Sequence, residues 1–193
     1  MASLVLTGDT SGQVTISAPA VAGTTTLTLQ AATATNAVNT LATAVASTSG
    51  TAIDFTGLPS WIKRITVQFQ GVSLNSTGSL LVQLGTGSTT FTTSGYISTA
   101  LVAIGGGNSF VSSTSGFIEY LTSAAGVYSG HMIITNISGN NWVSSHVGKY
   151  STAAVCSGAG DVSLGAVLTA VRITTSSGTD TFDAGTVNIL YEG

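Results

Sequence analysis

Residues 54–72, DFTGLPSWIKRITVQFQGV, decide how this chain folds. The protein has only four Lys and Arg, and Lys63 and Arg64 stand side by side here, behind one of its two Pro and one of its two Trp. A basic pair beside an aromatic ring invites a phosphate or nucleic-acid site, but the pattern that follows points elsewhere. Ile65, Val67 and Phe69 alternate with Thr66 and Gln68, the period of two that marks a half-buried strand. In a strand Lys63 and Arg64 point to opposite faces, so they do not line one basic patch. The spacing predicts Pro59 in a turn and Trp61 as an anchor. It puts Arg64 on the polar face with Thr66 and Gln68, and Lys63 at the rim.

Working outward, the chain from Thr51 to its end repeats this pattern. Runs rich in Val, Ile and Thr occur at 52–55 (AIDF), 79–85 (SLLVQLG), 96–104 (YISTALVAI), 116–121 (GFIEYL) and 126–137 (GVYSGHMIITNI). They continue at 141–150 (NWVSSHVGKY), 161–167 (DVSLGAV), 170–176 (AVRITTS) and 186–193 (TVNILYEG). Between them stand NSTG, GTGS, GGGN, SGNN, SGAG and SSGTD, whose composition is that of turns. Short strands at this spacing predict an all-β domain over residues 50–193, an antiparallel β-sandwich or jelly roll of about eight to ten strands. RITVQFQGV and VNILYEG are expected in one sheet.

The first 49 residues read differently. Leu4 and Leu6, Val14 and Ile16, and Leu27 and Leu29 alternate with small polar residues, broken by GDTSGQ and APAVAG. Strands this short do not hold a core of their own. These six aliphatics are expected to lie on a copy of themselves or on a partner, which makes residues 1–49 an extended arm for anchoring and assembly. Within it, residues 30–48 are Ala-rich. Val38, Leu41, Ala42 and Val45 fall at helical spacing, but Thr and Asn dilute the propensity, so both a short helix and an extended linker fit. The domain boundary is expected near Ser49–Gly50.

Composition narrows the class of function. Charged residues are 6% of the chain, against a usual share of about 25%. Neither Thr10–Ile53 nor Ile65–Ile118 carries a charge. Near-neutral surfaces associate, which favours an obligate oligomer. No apolar run has the length of a membrane-spanning helix. Aromatics, at 7%, are not paired at strand ends as barrel girdles require, so no membrane insertion is expected. MASLVLTGDT has no signal-peptide pattern. The sequons at Asn75 and Asn136 therefore imply no glycan. A net charge of −3 argues against nucleic acid.

Catalytic chemistry finds little to work with. His131 and His146 are the two imidazoles. Either could in principle be grouped with Asp161 and a serine, but no GxSxG elbow is present and their separation is not a zinc-ligand spacing. Cys156, the single cysteine, reads as a small buried hydrophobe. Asp180 and Asp183 in SSGTDTFDAG lack the acidic spacing of a calcium loop and suit a turn. The Gly-rich stretches at 85–88 and 105–108 precede no helix that would hold a phosphate. No catalytic, metal or cofactor residue is predicted, and no enzyme. Trp61 and Trp142 are the aromatics on which a lectin-like module would stack a sugar, although each also suits a core or an interface.

Several long stretches together resemble bacteriophage and prophage fibre-type virion proteins: APAVAGTTTLTL, SGTAIDFTGLPSWIKRITVQFQGVS, LLVQLG, TTSGY and VRITTSSGTDTFDAGTVNILYEG. In that family a turn-rich segment like 3–29 precedes a β-rich domain like 50–193. The resemblance implies a homotrimer on the surface of a phage particle, made in the host cytoplasm. Its arm would be held by capsid or tail proteins, and its β-rich domain would be presented to the host surface and its glycans. The chain is short for a long tail fibre. A short tail fibre, a head fibre or a capsid cement or decoration protein fits better, and a carbohydrate-binding module is the alternative from another class.

Overall fold

A computed structural model of the full chain describes residues 39–119, 121 and 123–193, with the strand backbones at 3–7 and 13–17. The chain forms two compact units, residues 1–36 and 37–193. In the first, β1 (Ser3–Thr7) and β2 (Gln13–Ser17) pair antiparallel, with Leu4 opposite Ile16 and Leu6 opposite Val14. Leu27 and Leu29 lie outside the described residues.

The second unit is an antiparallel β-sandwich, and among the described residues every regular element is a strand. Its smaller sheet runs β10 (Phe117–Glu119), β7 (Leu80–Gly85), β14 (Ala170–Thr175), β5 (Ala52–Thr56). The larger sheet begins with β3 (Asn39–Leu41), β15 (Phe182–Glu192), β6 (Arg64–Leu74) and β11 (Tyr128–Ser138). It continues with β12 (Asn141–Ser151), β13 (Ala154–Ser163), β8 (Ile97–Ile104) and β9 (Gly107–Ser113). A short β4 (Val45–Ala46) also pairs with β15.

Alternation determines what each face buries. Ile65, Val67 and Phe69 of β6, Met132 and Ile134 of β11, and Val187 and Ile189 of β15 point inward. Leu80, Val82 and Leu84 of β7 and Val171 and Ile173 of β14 belong to the same buried cluster. Each such side chain removed from water contributes about 1.5–3 kcal/mol, so this shared core is what holds the sheets face to face. Phe117 anchors one end through an edge-on contact with Tyr96, ring centres 5.0 Å apart.

The opening stretch behaves as its alternation predicts. Ile62 N–H donates to Pro59 O at 3.3 Å, closing the turn, and β6 starts at Arg64. Arg64 points outward, with Nη1 3.8 Å from Glu192 Oε2. Lys63 is exposed at the rim, its backbone tied to Glu192 O and Asn136 N. β6 and β15 are neighbours, so RITVQFQGV and VNILYEG share a sheet. Both strands break register where Gly71 (φ 64°) and Gly185 (φ 100°) meet. A Cβ on Gly185 would lie 2.5 Å from Gly71 C and O, so this paired bulge requires glycine.

Three expectations are corrected. The larger unit starts at residue 37 rather than near Ser49–Gly50, because β3 and β4 extend the large sheet along β15. Residues 39–46 are therefore neither helix nor free linker, whereas 30–38 lie outside the described residues. SGAG at 157–160 is not a turn but the middle of β13, which runs from Ala154 rather than from Asp161. The GGGN stretch contributes a turn at Gly105–Gly106 and then opens β9, a strand the alternation had not marked.

Candidate functional site

The large sheet changes character along its width. On its outer face β15 and β6 present Thr186, Asn188, Arg64, Thr66, Gln68 and Gln70, an ordinary water-facing set. Further across, the outward positions turn apolar. Ile97 (72% exposed), Phe110 (71%), Val147 (55%) and Val155 (51%) stand in water, beside half-buried Leu101 and Val143. One lateral row shows the change: Phe110, Leu101, Ser157, Val147, His131 and Gln68 lie in register from β9 to β6. The small residues Ser157–Gly160 of β13 floor a shallow trough between Phe110, Leu101 and Ile97 on one side and Val147 and Val143 on the other. The charged side chains of β8, β9, β12 and β13 are Lys149 and Asp161, both outward and toward opposite ends.

Behind this apolar outer face, the inner face of the same strands is unusually polar. Glu119 at the end of β10, His146 of β12 and Cys156 of β13 meet with no solvent exposure beyond a few per cent. Glu119 Oε2 lies 3.3 Å from His146 Nε2 and 4.0 Å from Cys156 Sγ, and that sulfur is 4.0 Å from the same imidazole nitrogen. Glycines make the space. A Cβ on Gly158 would lie 2.4 Å from His146 Cε1, and one on Gly148 would lie 2.5 Å from the Tyr128 hydroxyl. Gly160 in turn packs against the Phe117 ring, at 3.0 Å from its own notional Cβ. The two glycines of SGAG thus face the core as room for aromatic rings, while Ser157 and Ala159 face outward.

Electrostatics follow from this burial. Removal from water pushes the Glu119 carboxyl well above the usual carboxylate range, a shift that the nearby Tyr128 hydroxyl only partly offsets. Burial lowers the His146 imidazole to about 4. Burial thus disfavours the charged form of both groups, the carboxylate and the imidazolium. Tyr128 is raised, first by burial and then by Glu119, and its hydroxyl acts on the carboxyl without good hydrogen-bond geometry. Among the described residues Glu119 Oε1, Tyr128 OH and His146 Nδ1 have no hydrogen-bond partner within the protein.

This grouping is not a nucleophile relay. A relay needs the acid on one ring nitrogen and the nucleophile on the other. Here carboxylate and sulfur both converge on Nε2, while Nδ1 faces neither. Three donor atoms this close together form instead a set of metal-ligand type.

The residues singled out in the sequence fall elsewhere. His131 is exposed on the outer face of β11, whereas His146 is the buried imidazole. Asp161 is outward opposite Val143, four positions along β12 from the Val147 that faces His131, so neither histidine meets it. Trp142 is only 4% exposed and is corrected from a sugar platform to a core ring. Trp61, 39% exposed, tilts against Tyr191 at 5.9 Å between ring centres. Asp183 accepts from the Ser73 hydroxyl and the Asp180 N–H donates to Ser177 Oγ, contacts that tie this turn to its neighbours. Glu119 was the residue missed; the string GFIEYL shows a carboxylate inside an apolar run, and that is its one sequence signal. No protein-family model, curated protein or solved structure matches this chain.

Proposed function

We propose that this protein is a non-enzymatic structural component of a bacteriophage particle, assembled as a homotrimer and held by its N-terminal arm. The observation that carries the assembly is the group of exposed side chains Ile97, Phe110, Val147 and Val155 on the outer face of β9, β8, β13 and β12, where the only charges are Lys149 and Asp161 toward opposite ends. With strands about 4.8 Å apart and a rise of about 3.3 Å per residue, it covers about 500 Å² in plan. That is the scale of one side of a standard protein–protein interface, about 800 Å² of accessible surface per partner. Contiguous exposed apolar surface of this kind marks an interface. β9 ends the sheet with an uncharged open edge, a second invitation to association. The threefold number and the virion setting rest on the resemblance to fibre-type proteins, while the low charge of the chain supports association alone.

In this reading the arm, residues 1–36 with any contribution from the strands that follow, joins the particle. The sandwich is displayed, as a head or short tail fibre or as a decoration protein, for contact with the host surface. Antibody raised against the sandwich should label intact particles in electron micrographs. Deleting residues 1–36 should leave a folded sandwich that no longer attaches. Unlabelled particles, or full occupancy by the truncated chain, would overturn the reading.

A further inference from the structure

We infer that Glu119, His146 and Cys156 bind one zinc-like divalent cation inside the sandwich, a structural metal centre linking β10, β12 and β13. Geometry is the first support. A tetrahedral centre with bonds of about 2.0–2.1 Å to nitrogen and oxygen and about 2.3 Å to sulfur has donor–donor edges of about 3.3 Å and, to sulfur, about 3.5 Å. The observed edges are 3.3, 4.0 and 4.0 Å. A shift of about 0.5 Å at the sulfur closes the set. Carboxylate, imidazole and thiolate together are the donor mixture that zinc and cobalt(II) prefer over magnesium or calcium.

The second support is the unsatisfied polarity around those donors. Glu119 Oε1 and the Tyr128 hydroxyl are buried with no well-formed hydrogen bond, although the hydroxyl is near enough to act on the carboxyl. Tyr128 OH stands over Gly148, whose register partner is Cys156. A cation gives these oxygens a positive charge to face. Charge is the third support. A chain with seven carboxylates in all has placed one of them wholly out of water, an arrangement that costs free energy unless the charge is paired or neutralised. One carboxylate and one thiolate balance a dication, leaving a neutral centre. Binding releases the protons of the acid and the thiol to solvent, with no change of oxidation state.

The site is closed to solvent, so the metal must enter as the chain folds. The full chain should therefore be expressed in defined medium supplemented with zinc or with cobalt(II), then dialysed against chelator-treated buffer. About one metal per chain is expected by mass spectrometry of the elements. The cobalt form should show a near-ultraviolet thiolate-to-cobalt charge-transfer band and tetrahedral visible bands. Cys156→Ser should abolish the charge-transfer band, and Glu119→Gln should lower the stoichiometry several-fold. If these variants do not fold, the cobalt spectrum of the unsubstituted chain decides alone. Protein that retains essentially no metal overturns the proposal. So does metal that binds without the thiolate band, or that persists with an unchanged spectrum in Cys156→Ser.

Discussion

The two halves of the large sheet solve opposite problems with the same period of two. In β6 and β15 the inward positions are Ile65, Val67, Phe69, Val187 and Ile189, and the outward ones are Thr, Gln, Asn, Arg and Glu, with a half-buried Leu190 beside β3. In β12, β13 and β8 the inward positions include Ser144, His146, Gly148, Gly158, Gly160 and Ser98, while Val147, Val155 and Ile97 stand outside. The first half suits water on its outer side. The second suits another protein surface outside and a polar cluster within. A strand's two faces answer to separate neighbours, so alternation reveals that there are two faces but not which one is the core.

Changes on the inner face of the first half should have the largest effect. Ile65→Ala removes a fully buried side chain and should cost about 2–5 kcal/mol, read from urea unfolding midpoints. Thr66→Ala, one position along on the other face, should stay within about 0.5 kcal/mol. Equal effects would erase the distinction between the faces.

In the second half, the sensitive positions should include glycines beside buried aliphatics such as Val102 and Val162. Gly158→Ala would put a Cβ 2.4 Å from both His146 Cε1 and Thr99 O, and should destabilise by about 1–3 kcal/mol through overpacking. Gly105→Ala meets open space and should change little. A neutral Gly158→Ala would mean that these glycines do not make the room assigned to them.

The polar cluster should give metal-free protein an unusual pH profile. Burial raises the Glu119 carboxyl in the folded protein, so the penalty for burying it is absent below its ordinary 4.5 and grows as pH rises. His146 is held neutral, so its penalty is absent above 6.5 and grows as pH falls towards about 4. The two slopes oppose each other between 4.5 and 6.5. Glu119→Gln should flatten the decline in stability that sets in above 4.5, read in thermal melts. Identical profiles for the two proteins would contradict this account of the carboxyl.

The smallest effect belongs to the outer face of the small sheet. Arg172 forks onto Asp54 at 2.7 and 2.8 Å and lies 4.0 Å over the Phe91 ring. Both ionic partners are about one-third exposed, so Arg172→Ala should cost only about 0.2–1 kcal/mol, measured by the same unfolding curves.

The first half was legible in the sequence because its faces follow the common rule. Ile65, Val67 and Phe69 could be assigned to a core, and Arg64 to a rim, from alternation alone. The second half was not, for one physical reason seen at two scales. Locally, SGAG has the composition of a turn, yet Gly158 and Gly160 are small because the rings of His146 and Phe117 come from other strands to fill their places. At longer range, Cys156 and Glu119 are 37 residues apart, and only the packing of β10 on β13 brings them together. Neither fact has a local signature. The boundary near Ser49 was misplaced for a similar reason, since β3 and β4 gain their structure from β15, at the far end of the chain.

The central claim is that the apolar outer face of the second half is completed by other copies of the chain. Sedimentation equilibrium on the full chain tests it most directly, beside a variant carrying Phe110→Lys and Val147→Lys. The account expects a trimer at micromolar concentration for the unsubstituted chain, and a monomer with the same β-type circular dichroism for the variant. A monomeric unsubstituted chain, or a variant that still sediments as a trimer, would contradict it.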